Sequence, residues 1–322
     1  MMKEIPTIEK PETKEKEPKI SYHIFYGPHW TDKDFENLEN AFDKADIYVP
    51  ELVGWDFRAK DKLNRLSQGE LTPEEVAAKE FVGKNSARFK QYQIIYNSKK
   101  PIFFADMPLQ HKLIPLSFKN DELGKEALEL FEKGDFKSSF KKIYQYTIAE
   151  TDYEKKREEL IRKNLDEEVR KLIKTDSRFK DKSDVKVLLS LGAVHTGIYH
   201  KFKKEETPVS REFSRQPFIF DSMAQALREM MLSGRKKPDK LLLARGLVEA
   251  LALYDYINRR ISFDNSKLMP VLRKISSRLK FKDIKSICRE MGKDSNRAIL
   301  DVLEKRGLEI PKNEKEIDEM LT

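Results

Sequence analysis

Apolar residues run along this chain in two rhythms, and the change from one to the other falls near Gln216. Before it, short apolar runs at residues 23–26, 47–49, 101–106 and 187–191 are rich in aromatic and β-branched side chains and end in Gly, Pro or an acid. That is the pattern of buried strands. Between the first two, Phe35, Leu38, Phe42 and Ala45 fall on one face of a helix that Thr31 can cap, with Asp34 at N3. Strand, helix, strand reads as a βαβ unit with parallel pairing and a right-handed crossover. The spacing predicts further helices over residues 72–96, capped by Thr72 with Pro73 at N1 and Glu75 at N3, and over 123–133, 136–148 and 152–175. Alternation of this kind predicts an α/β fold: a largely parallel sheet flanked by helices.

After residue 216 the spacing is helical throughout, over 222–232, 241–259, 267–279, 282–291 and 295–305, which predicts an all-helical C-terminal segment. Residues 1–19 are Lys, Glu, Pro and Thr with almost no large apolar side chain, and cannot offset the entropy of ordering. The expected organisation is a disordered tail over 1–19, an α/β domain over 20–216 and a helical domain over 217–322.

Composition narrows the function classes. Charged residues make up 37% of the 322, against about 25% in ordinary globular domains, so much of the chain is solvated helix surface. The net charge of +8 is spread among acidic neighbours on the same helices, which argues against a basic stripe for nucleic acid. The one cysteine, Cys288, excludes an internal disulfide framework and fits a reducing cytoplasm. Neither an apolar run of membrane-spanning length nor a signal-peptide core is present, so the expectation is a cytoplasmic protein without a membrane partner.

The candidate chemistry sits at the strand ends. In a parallel sheet, ligands bind beyond the carboxyl ends of the strands, and His29, Glu51, Asp106 and His195 follow the four runs. Two imidazoles with one or two carboxylates suit a divalent metal ion with open positions, or, without metal, general acid–base chemistry. Taken singly, each of the four is as well explained as a turn former or a helix cap. Their recurrence at equivalent strand ends is what points to a site.

The order strand, His29, helix, then Asp46-Ile-Tyr-Val-Pro-Glu51, Arg157-Glu-Glu-Leu-Ile with Asn164-Leu165, and Gly192-Ala-Val-His195 resembles the TraB/TIKI superfamily, which also takes in erythromycin esterase-like and ChaN-like proteins. The resemblance covers residues 22–213. It implies a site of His29, Glu51, Arg157 and His195, with members that act as metal-dependent peptidases, as esterases, or as haem-binding proteins. Arg157 would then orient a carboxylate or stabilise an oxyanion. From the strand-end pattern, His29, Glu51 and His195 are the expected ligands of a divalent metal, with Asp106 as a fifth site residue. The second Gly-x-x-His motif is complete. The first reads Tyr26-Gly27-Pro28-His29, its glycine one place late, and Leu160 and Ile161 stand where Met and Ala are usual.

The leading expectation is therefore a hydrolase that cleaves a peptide or ester bond. The alternative is a non-catalytic binding or regulatory protein with a haem or peptide pocket, whose C-terminal helices contact a protein partner. A third reading places nucleic acid on the basic residues Arg273, Lys274, Arg278, Lys280, Lys282 and Lys285.

Overall fold

Val185, Val187, Leu188, Leu189 and Leu191 are all buried, and the strand that carries them, β3 (Asp184–Leu191), lies inside a four-stranded parallel sheet. In this computed structural model, which describes residues 18–27, 32–83, 86–215, 218–254, 257 and 267–321, β1 is Lys19–Tyr26, β2 is Ile47–Pro50 and β4 is Val209–Phe213. The order is β2-β3-β1-β4. β1 and β2, expected to pair directly, are parallel but separated by β3, which takes its partners from both sides. Of the tail expected over 1–19, all but the last two residues lie outside the described chain, as do His29 and the Thr31 cap.

Side chains alternate between the two faces of the sheet. Phe25, Tyr48 and Leu188 pack against α1 (Asp32–Asp43), α2 (Phe57–Gln68), α3 (Pro73–Glu80) and α4 (Ala87–Ser98). Ile24, Tyr26, Val49, Val187 and Leu189 pack on the other face against Ile161, Leu165 and Val169 of α6 (Phe136–Thr175) and against Ile198 and Phe202 of α7 (Thr196–Lys204). The result is helix, sheet, helix in three layers.

Three sequence expectations need correction. The helix expected over 72–96 is two: the Thr72–Glu75 capping box starts α3 as expected, but the chain leaves it at Phe81, with φ of 55°, and Ser86 caps α4. The run 101–106 is extended without being a sheet strand. It makes one isolated bridge, Ile102 to Tyr48, because Pro101 has no N–H to donate and the segment veers off toward the site. The two helices expected over 136–148 and 152–175 are one helix of 40 residues, since no Gly or Pro interrupts them.

The C-terminal segment is helical: α8 (Ser222–Ser233), α9 (Lys240–Leu247) running into a π turn at Val248–Leu253, α10 (Leu268–Ser276), α11 (Phe281–Met291), α12 (Ser295–Lys305) and α13 (Glu314–Leu321). Its core also takes in Ala127 and Phe131 of α5 (Ile114–Glu132) and Ile143 of α6. Cys288 is buried there and donates to the Phe131 carbonyl at 3.3 Å, a packing role. Among the described residues no helix is long and apolar enough to cross a membrane.

Candidate functional site

Three of the candidate side chains are placed by the end of an element or extended segment. Glu51 follows β2, and its N–H donates to the Ser190 carbonyl at 2.9 Å. His195 closes a single helical turn between β3 and α7, with its N–H on the Gly192 carbonyl at 3.0 Å. Asp106 ends the extended segment after Pro101. That segment is held by Asn164 Nδ2 on the Ala105 carbonyl (2.8 Å) and Trp55 Nε1 on the Asp106 carbonyl (2.7 Å). Arg157 reaches the same point from the middle of α6.

These four residues converge, with Arg157 at the centre. Its Nε and Nη2 donate to both oxygens of Asp106 (3.0 and 2.6 Å), Nη2 also to Glu51 Oε1 (2.7 Å), and Nη1 to Glu154 Oε1 (3.3 Å). His195 Nε2 lies 3.1 Å from Arg157 Nη1 and 3.2 Å from Glu51 Oε1. Arg157, Asp106 and His195 are 4%, 2% and 1% exposed, whereas the Glu51 side chain keeps 26%. Glu51 is thus the member of the cluster that reaches solvent. His29 lies outside the described residues.

Two acids that were not among the candidates read from the sequence belong to the cluster. Glu154 Oε2 is 3.7 Å from His195 Nε2, and Glu158 Oε1 is 3.7 Å from His195 Nδ1. Their signal was present in the period: 154 and 158 continue the buried stripe that runs on through Ile161, Leu165, Val169 and Ile173. Two glycines make room for the carboxylates. The Gly192 N–H donates to Glu51 Oε2, and a Cβ at Gly192 would stand 3.1 Å from that oxygen; at Gly197, in the first turn of α7, a Cβ would overlap the Glu158 carboxylate. Glu158 consequently sits at the positive end of α7.

Electrostatics follow from this crowd of acids. Burial alone would lower the His195 pKa, but Glu154, Glu51 and Glu158 outweigh both burial and Arg157, and push it from 6.5 up to about 10. The surrounding acids thus favour the protonated form of His195. Burial would raise the Glu51 pKa, yet the His195 and Arg157 charges and the Gly192 N–H hold it well below the usual carboxylate range. Burial pushes Glu150, one turn before Glu154, up to about 7.

A divalent ion at this cluster would need carboxylate oxygens free to coordinate it. Both Asp106 oxygens and Glu51 Oε1 face the Arg157 guanidinium, and Glu51 Oε2 takes the Gly192 N–H. A cation already stands at the focus of these carboxylates, and among the described residues no group of three acid, His or Cys side chains is arranged to hold a metal ion. In this arrangement the described carboxylates are taken up by a guanidinium, and His29, the remaining expected ligand, lies outside the described residues.

Tyr199 and His200, on α7 just beyond His195, stay outside the cluster. Tyr199 instead stacks under the Arg211 guanidinium at 4.3 Å. His23 pairs across strands with Ser210 (2.8 Å) on the far side of the sheet. No family model, no curated protein and no solved structure matched the chain.

Proposed function

We propose that the chain is a hydrolase of the TraB/TIKI type that activates water without a metal, at Glu51, Arg157 and His195, and cleaves an ester or peptide bond. One observation carries this reading. Residues up to 144 positions apart, at the carboxyl ends of parallel strands and on the helix that backs them, form one hydrogen-bonded acid–base cluster.

Glu51, the solvent-facing member, accepts a hydrogen bond from the attacking water and takes its proton. While His195 stays protonated 3.2 Å away, that transfer is uphill. It becomes accessible as the acyl bond to the leaving group breaks and Glu51 hands the proton on to that group, so Glu51 acts as base and then as acid while the buried His195 tunes its charge. Arg157 holds both residues in register and keeps positive charge beside the developing oxyanion.

A second reading, a non-catalytic ligand-binding protein, is favoured by the near-complete burial of Arg157 and His195. Assays of wild type and His195→Gln on a panel of nitrophenyl esters and peptides, with and without EDTA, separate the two. The hydrolase reading expects turnover that EDTA leaves unchanged and that falls by about a hundredfold or more in the variant. Absence of turnover across the panel favours the binding protein, and loss of turnover in EDTA returns the metal.

A further inference from the structure

A cavity of about 580 Å³ opens where α5 and α6 meet the C-terminal helices, within the range of roughly 300–1,000 Å³ of small-molecule sites. Its wall is mostly aliphatic, with the adaptable thioethers of Met223 and Met269 and the rings of Tyr146 and Tyr254. The π turn contributes Glu249 and Ala250 to it; such widened turns recur at functional sites.

The charges on this wall are all of one sign. Lys and Arg make up 63 of 322 residues, yet among the described residues the charged side chains lining the cavity are Asp221 and Glu249 alone. Glu249 is already satisfied: it accepts from Ser222 N (2.7 Å), Ser222 Oγ (2.6 Å) and Ser276 Oγ, and pairs with Arg273 at 3.5 Å. Asp221 has no such set of side-chain partners: it caps α8, with Oδ1 accepting from Ala224 N at 2.7 Å, takes a further backbone hydrogen bond from Met223, and forms no ion pair among the described residues. Burial raises its pKa despite the Ala224 and Met223 N–H groups and the nearby Arg273 charge, which act the other way, so a cation held directly against the carboxylate would be favoured.

We propose that this cavity binds a small organic ammonium compound, its apolar body among the Met and Leu side chains and its charged nitrogen on Asp221. The two tyrosine rings supply the π faces that an ammonium group favours. The site is separate from the Glu51 cluster and does not depend on hydrolase activity.

Calorimetric titration of the whole chain with phenylbutylamine, against phenylbutanol and phenylbutyrate of similar shape, tests it. The amine should bind saturably, and the alcohol and the acid at least about tenfold more weakly. Asp221→Asn, which keeps a good helix cap, should bring the amine down to the alcohol's affinity. Ala250→Trp, at an exposed position on the rim, should block all three. Thermal melts establish that both variants fold, and Glu51→Gln should bind the amine as wild type does. Equal binding of amine and alcohol, amine binding that survives both cavity variants, or no amine binding to wild type overturns the proposal.

Discussion

Arg157 is the residue on which the buried acids depend. Replacing it with Met keeps most of the volume and leaves Asp106, Glu154 and Glu51 without their guanidinium, with His195 alone facing three acids, so the expected loss is about 3–5 kcal/mol in urea unfolding. A loss under about 1 kcal/mol would mean that the acids are solvated in solution. His195 sets a pH dependence. It keeps its proton to about pH 10 when folded and to 6.5 when unfolded, so its stabilisation is whole below pH 6.5 and fades between 6.5 and about 10. Glu51 works in the opposite sense: its pKa is depressed in the fold, so its contribution is present above 4.5 and is lost as pH falls from there. Melts of wild type and His195→Gln should therefore converge from pH 6.5 to 10, and a constant gap would contradict the imidazolium. At this scale Glu51, Asp106 and His195 were legible because each follows an apolar run that ends abruptly. Glu154 and Glu158 were not, because neighbouring Lys155, Lys156 and Glu159 give the same stretch the look of a solvated face.

At the scale of elements, α6 organises the molecule. Its first half packs Ile143 into the helical core, its last half packs Ile161, Leu165 and Val169 on the sheet, and its middle turns carry Glu154, Arg157 and Glu158 into the site. At about 1.5 Å per residue, its 40 residues span about 60 Å. Ala149→Pro would remove a hydrogen bond and crowd the preceding turn just ahead of the site, at an expected cost of about 3 kcal/mol or more. Chemical denaturation should show this as one lowered transition; an unchanged midpoint would mean that the two halves of α6 are independent. The sequence carried the strand ends and the helical character of this region, but not its continuity. Across the expected break the helix runs on, and the hydroxyls of Thr147 and Thr151 turn back onto the Ile143 and Thr147 carbonyls at 2.8 and 2.7 Å. Strand order was equally illegible, because insertion of β3 between β1 and β2 depends on long-range pairing that no local pattern encodes.

For the whole molecule, the contrast is between a basic exterior and an acid-rich centre. The chain carries +8 overall, while Glu51, Asp106, Glu154 and Glu158 surround two cations in its interior. Such an excess of buried negative charge holds an imidazolium ready beside a partly exposed carboxylate, the condition that the hydrolase account needs. Glu51→Gln addresses it most directly, since glutamine keeps an acceptor for the Gly192 N–H and the shape of the side chain while it removes the base. On the best ester or peptide found for wild type, kcat should fall by about a hundredfold or more in a variant whose melt shows a folded protein. A folded Glu51→Gln protein with wild-type kcat on that substrate would contradict the account.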